Sequence, residues 1–228
     1  MLSPMAIGYP RLHYRATDST NARARELAGA GAVHGTLVTA SEQSAGRGRQ
    51  GRTWSAPAGQ ALLMSLILRK WPALLPLAAA VAVAETAGEA ARIKWPNDVL
   101  LGGRKVAGIL VETRPQERWA VIGIGLNVAV DLHALPDELR ATAGTLGRLP
   151  ADVEPTLATL LATLEGWLPA READLLAAYR ARDALAGRDV RWAEGEGRAV
   201  GIDDGGRLLV ETRAGRIALD AGEVHLSV

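Results

Sequence analysis

Cysteine is absent from the 228-residue chain. That removes disulfides, thiolate metal ligands and any covalent thioester step on this chain, and it fits a reducing cytoplasm. An excess of charge is missing too. With 26 Lys and Arg against 25 Asp and Glu, nothing global points to DNA, RNA or an anionic membrane. The most apolar stretch, residues 71–84, is too short to span a bilayer and holds Pro72 and Pro76. The opening residues MLSPMAIGYPRL lack a basic segment followed by an apolar one, so no secretory signal is expected. Phenylalanine is absent, and that absence points to no function. There is no Walker A motif and no Gly-x-Ser-x-Gly elbow. His13, His34, His133 and His225 show no metal-ligand spacing and are read as structural or surface residues.

The length allows one substantial core, or one core with a small satellite domain. Residues 12–130 mix helix-like and strand-like segments. Ser19-Thr20-Asn21 caps an expected helix over residues 22–28, closed by Gly29. Strands are expected over residues 35–39, 61–68, 92–94, 106–112 and 119–128, with Gly102-Gly103 turning between the third and fourth. Residues 75–91, rich in alanine with Pro76 near the start, read as a buried helix. Residues 154–185 carry a helical apolar period that Pro169 splits in two. Beyond Gly187, five short strands over residues 189–193, 197–202, 207–212, 216–220 and 223–228 are separated by turn signals and suggest a small β-barrel.

Three constellations carry chemistry. In Gly46-Arg47-Gly48-Arg49-Gln50-Gly51-Arg52-Thr53-Trp54, glycines let backbone N–H groups approach an anion, and arginine forks grip carboxylate or phosphate. Read alone, the segment fits a solvated surface loop or an RGG-like nucleic-acid tail about as well, though strand-like runs on both sides argue against a tail. In Lys94-Trp95-Pro96-Asn97-Asp98-Val99, a polar turn precedes Lys105, which opens the next apolar strand. A lysine at the edge of a buried strand is costly without an anionic partner. In Ile122-Gly123-Ile124-Gly125-Leu126-Asn127, two glycines weaken a strand unless something must come close, and the third glycine of a dinucleotide fold is missing. Each of these two also reads alone as ordinary structure, a charged hairpin rim or a bulged core strand.

Taken together, and with Asp18-Ser19-Thr20-Asn21, Glu42-Gln43-Ser44-Ala45 and the tail Ala221-Gly222-Glu223-Val224-His225-Leu226, these motifs resemble the biotin–protein ligase family over nearly the whole chain and in the family's order. The resemblance implies an α+β fold. A mixed-sheet, class II synthetase-like catalytic domain with flanking helices would span residues 1–185, and a small SH3-like β-barrel residues 186–228. It implies biotin contacts from Ser19, Thr20, Asn21, Gln43, Gly46, Arg47, Gly48, Arg49, Lys105, Gly108 and Gly125. It implies ATP contacts from Arg49, Arg52, Trp54, Asn97, Asp98, Lys105 and Asn127. Lys105, Arg49 and Asp98 would carry the catalysis. Some members of the family bear an N-terminal operator-binding helix-turn-helix domain. The matching core here begins within about 20 residues of Met1, so a ligase without the repressor function is expected.

The implied activity uses biotin and ATP as substrates, with Mg2+. The biotin carboxylate displaces pyrophosphate to form biotinyl-5'-AMP, and biotin then passes to a lysine of a biotin carboxyl carrier protein or carrier domain of a carboxylase. Lys105, Arg49 and Mg2+ would offset charge on the α-phosphate, and Asp98 would deprotonate the acceptor lysine. No specific DNA, no membrane and a cytoplasmic location are expected, and a homodimer and the metal ligands are left open. Two alternatives stand beside this: a lipoate-type ligase, which shares fold and adenylation chemistry, and a non-catalytic binding protein.

Overall fold

The computed structural model describes residues 7–220, 222 and 224–226. In chain order the elements are β1 (Arg11–Tyr14), α1 (Thr20–Gly29), β2 (Leu37–Ala40), β3 (Gly46–Arg47), β4 (Thr53–Trp54), β5 (Ala61–Leu68), α2 (Leu75–Ala87), β6 (Arg92–Lys94), β7 (Asp98–Leu101), β8 (Arg104–Arg114) and β9 (Trp119–Asn127). They continue as α3 (Asp137–Arg140), α4 (Val153–Trp167), α5 (Glu172–Ala181), β10 (Asp189–Trp192), β11 (Gly195–Ile202), β12 (Leu208–Thr212), β13 (Gly215–Leu219) and β14 (His225–Leu226).

The main sheet runs β1-β2-β5-β9-β8-β7-β6. The β1–β2 pair is parallel and the others are antiparallel, so the sheet is mixed as expected. Strand β5 is buried along its whole length, because both faces of the sheet are covered. One face packs on α2, where only Pro76 and Glu85 reach solvent. Its alanines let the helix lie close, and α4 and α5 pack behind it. The other face carries α1, whose Ala24 and Ala28 sit on Val38, Ile67 and Val121. Most of the residues expected to form the site gather on this second face.

Strand β1 was not foreseen, and three further differences from the sequence reading bear on the site. The helix over 75–91 stops at Ala87, because Gly88 takes the left-handed φ of 118° and its N–H turns back to Ala84 and Glu85. A strand not foreseen, β7, begins at Asp98, so Gly102-Gly103 joins β7 to β8 rather than β6 to β8. The Gly46–Trp54 segment is a two-stranded hairpin rather than an irregular loop, with Gly46 opposite Trp54 and Arg47 opposite Thr53.

The C-terminal strands form a second, antiparallel sheet ordered β13-β12-β11-β10-β14, as the turn signals predicted. Of the last expected strand, Glu223, Ser227 and Val228 lie outside the described residues, as does Ala221 of the turn before it. Val190, Ala199, Leu208 and Val210 belong to the same apolar cluster as Leu74 and Leu77 of the main body. The Trp95 indole N–H donates to the Gly206 carbonyl at 3.0 Å, tying the β6–β7 turn to the second sheet.

Candidate active site

Two rows of residues cross the α1 face of the main sheet. In the first, Ser65 of β5, Gly123 of β9 and Leu110 of β8 stand side by side. In the second, two residues along, stand Leu63, Gly125 and Gly108. Strand alternation puts both rows on one face. The missing side chains make room. A Cβ on Gly123 would collide with the Asn21 carboxamide, and one on Gly125 with the Trp54 indole. A Cβ on Gly108 would also meet this indole, 3.0 Å from its Cζ3.

The first row carries neutral polar groups. Helix α1 begins there, with Ser19 as its cap, accepting from the Ala22 N–H at 3.4 Å. The Gln43 Oε1 atom accepts from the Thr20 N–H at 2.7 Å and from its hydroxyl at 3.1 Å. Ser65 donates toward Asn21 Oδ1 at 2.6 Å, and Asn21 Nδ2 donates to Glu112 Oε2 at 3.0 Å. The preceding carboxyl, Asp18, is held below the usual carboxylate range chiefly by the Ser19 N–H, then by the Thr17 hydroxyl and Arg23.

The second row carries cations and the indole. Lys105 Nζ lies 2.7 Å from Asp98 Oδ1. That oxygen makes no hydrogen bond of good angle, so the contact is an ion pair by distance rather than a directed bond. The same ammonium sits 5.8 Å from the Trp54 ring centre, within cation–π range. Arg49 donates to Asn97 Oδ1 at 3.3 Å, while Asn97 Nδ2 donates to the Ile109 carbonyl at 3.1 Å and so fixes the amide's direction. The hairpin's return uses Gln50 at a left-handed φ of 54° and is closed by the Gly48 N–H on the Arg52 carbonyl at 2.7 Å.

One cavity unites these groups. Ser19, Thr20, Asn21, Gln43, Arg47, Gly48, Arg49, Arg52, Trp54, Asn97, Asp98, Lys105, Gly108 and Gly125 all line it. The anionic partner that Lys105 demanded is Asp98. Two expected residues stand elsewhere. Gly46 sits behind the wall, where a side chain would strike the Trp54 carbonyl and lie 2.9 Å from Gln43 Nε2. Asn127 is buried away from the cavity and donates to the Gly144 carbonyl at 2.8 Å, bracing the segment after α3. Gly108 and Gly125, expected against biotin, lie beneath Trp54.

Sequence reasoning missed Ser65 and gave Gly123 and Glu112 no role. A signal existed for Ser65, the one polar residue in the apolar run over 61–68, since a buried hydroxyl needs partners. No signal linked Glu112 to Asn21, 91 positions apart. Among the described residues, no three His, Asp or Glu side chains converge to hold a metal ion. No helix among them is long and apolar enough to cross a membrane.

Residues 14–129 match the biotin/lipoate A/B protein ligase family, and residues 191–227 the biotin protein ligase C terminal domain. The chain is 40% identical to the biotin–[acetyl-CoA-carboxylase] ligase of Paracoccus denitrificans, over 91% of this chain and 97% of that one. It is 36% identical to the bifunctional ligase/repressor BirA of Bacillus subtilis, over 99% of this chain and 76% of that one. Among solved structures, the biotin protein ligase from Aquifex aeolicus in complex with biotin and ATP superposes with a TM-score of 0.79 at 27% identity, covering 95% of this chain and 98% of that one.

Proposed function

The chain belongs to the biotin/lipoate A/B protein ligase family, and from that premise we infer that it is a biotin–protein ligase, which joins biotin to ATP as biotinyl-5'-AMP and passes biotin to a lysine of a biotin carboxyl carrier protein. One observation carries the assignment of its site. A neutral pocket of hydroxyls and amides lies one sheet row from a cationic pocket roofed by an indole, inside a single cavity. A ureido ring needs paired donors and acceptors. A carboxylate meeting a triphosphate needs positive charge.

Ser19, Thr20, Asn21 and Gln43 hold the ureido ring. Arg47, Gly48 and Arg49 lie along the biotin tail and its carboxylate. Trp54 faces the adenine, with Arg52 and Asn97 beside the nucleotide, and Gly108 and Gly125 support the indole from below. Asn127 acts on the nucleotide side only through the backbone it braces.

In the first step a carboxylate oxygen of biotin bonds to the α-phosphorus, and the bond to pyrophosphate breaks. No side-chain nucleophile is needed. The obstacle is repulsion between anions, which Lys105 and Arg49 offset at the position where charge grows. Asp98 keeps Lys105 aimed. Among the described residues, the cavity's lining holds one acidic side chain, Asp98, which suits Mg2+ arriving on the triphosphate rather than a resident ion in a protein cage. In the second step the acceptor amine bonds to the acyl carbon and AMP leaves. Asp98 takes the amine's proton, since an acceptor lysine is charged near neutral pH. The anhydride is hydrolysable, so the arginine hairpin also excludes water.

The domain division at residue 185 is supported by the separate second sheet and by the C-terminal family match. That match also favours biotin over lipoate as the acid. A cytoplasmic setting accords with the absence of cysteine. ATP–pyrophosphate exchange with one acid at a time tests the assignment. Exchange is expected with biotin and not with lipoate, and exchange with lipoate alone would overturn it.

A further inference from the structure

We propose that Glu112, with Ser65 opposite it, is a positioning residue that sets which way the Asn21 carboxamide faces and so the donor and acceptor pattern presented to the ureido ring. The proposal rests on the biotin pocket assigned above.

A carboxamide is nearly symmetric in shape but not in chemistry, since one end accepts and the other donates. Its direction is decided by what it faces. At Asn21 the decision is made from outside the cavity. Glu112 stands on β8, two residues beyond Leu110, and shares the α1 face of the sheet. Its Oε2 atom lies 3.0 Å from Asn21 Nδ2, and the Leu110 carbonyl lies 3.4 Å from the same nitrogen. A carboxylate and a carbonyl can only accept, so this end of the amide must be the NH2. Arg25, one turn further along α1, holds the other carboxylate oxygen at 2.9 Å. Glu112 is therefore clamped between α1 and the sheet, with one oxygen for each partner.

The opposite end of the amide must then be the oxygen, and Ser65 meets it at 2.6 Å. A chain of oxygens follows. Ser65 Oγ lies 2.9 Å from Thr20 Oγ1, which lies 3.1 Å from Gln43 Oε1. The Thr20 N–H already occupies Gln43 Oε1 at 2.7 Å, so that amide is directed as well. Four oxygens in line make three contacts, but only the two hydroxyls bring protons. The row is one proton short while Asn21 keeps its direction. A surplus of lone pairs favours a ligand that brings N–H groups, and the ureido ring brings two. Were Asn21 to turn over, its NH2 would fill the deficit from inside the protein, and the pocket would lose its preference. Glu112 prevents that turn. Gly123 makes room for the amide, because its missing side chain is the space Asn21 occupies.

The test is Glu112→Gln, which keeps size but offers the amide a donor and an acceptor alike, with Ser65→Ala as a second variant and the double variant to close the cycle. Biotin binding without ATP is measured by calorimetry, and KM and kcat for each substrate by ATP–pyrophosphate exchange. Glu112→Gln is expected to weaken biotin binding about tenfold, the size of losing one hydrogen bond to a charged group, with kcat and the KM for ATP within about twofold. Ser65→Ala should act in the same direction. The double variant should lose clearly less than the product of the two, because both act on one amide. Unchanged biotin affinity in Glu112→Gln, parallel loss for ATP and biotin, or fully multiplicative losses would each overturn the proposal. Failure of the wild-type chain to exchange with biotin would instead overturn the assignment of the pocket.

Discussion

Replacing Gly125 with alanine separates the two rows of the site by experiment. An added Cβ would lie 2.6 Å from the Trp54 Nε1 atom and 2.8 Å from Cδ2. Ordinary contact needs about 3.5 Å, so one side must retreat by about 1 Å. Strand β9 is bonded on both edges and almost wholly buried, whereas Trp54 stands on a two-residue strand of a small hairpin. The indole is therefore the part that moves. A base stacked on an aromatic ring gains about 1–3 kcal/mol, or about 5- to 150-fold at about 1.4 kcal/mol per decade. Losing much of that should raise the KM for ATP about tenfold and leave the KM for biotin within about twofold. Gly123→Ala gives the converse. Its Cβ would lie 2.6 Å from Asn21 Cγ and 2.9 Å from Nδ2, and that amide is tied at both ends. Biotin KM should rise and ATP KM should hold. Both variants are assayed by ATP–pyrophosphate exchange, titrating one substrate with the other saturating. Circular dichroism melts check the fold, since overpacking costs typically about 1–3 kcal/mol. Equal shifts in both KM values, from either variant, would refute the division of the site by sheet row.

Lys105→Ala should slow single-turnover adenylate formation by about 10²–10³, the range for one preorganised donor. It should keep the fold, because the side chain is part-exposed and packs little; unchanged formation would remove the residue from the chemistry. Arg49→Gly deletes the bond to Asn97 and frees the hairpin, so biotinyl-5'-AMP should dissociate faster and label unrelated lysines; quench-flow release no faster than wild type would refute this. Asp183 follows from linkage. Burial raises its carboxyl above the ordinary 3.8, against the lowering by the Leu185 and Ala186 N–H groups, and its Oδ2 is enclosed without a partner among the described residues. The folded state then binds the proton more tightly than the unfolded one. Stability from this group is full below about 3.9 and is lost as pH rises through the raised value. Asp183→Asn, which can still accept from the Leu185 N–H, should match wild type near pH 4 and exceed it near pH 7 in urea melts; a constant offset across that range would contradict the assignment.

Local chemistry was enough to determine much of this protein. The cap at Ser19, the run over 61–68, the split at Pro169 and the turn signals after Gly187 each act within a few residues, and each produced the element expected. The unusual grouping of arginines with glycines, and of Asn97, Asp98 and Lys105, singled out residues that the fold brings into one cavity, because such residues are costly to bury without partners. Strand register lay beyond the sequence. Whether Gly123 and Gly125 faced the cavity or the core depended on how β9 aligned with β5 and β8, and a shift of one residue would have reversed it. Ser65, Glu112 and Arg25 were invisible as a group for the same reason: nothing in the order of residues says which side chains α1 lays across the sheet. Asn127 shows the reverse case, a motif residue that the pairing of β9 with β5 carries past the cavity to brace Gly144. Composition and spacing determine which groups the chain must satisfy, and only the tertiary pairing of distant strands decides which of them satisfy one another.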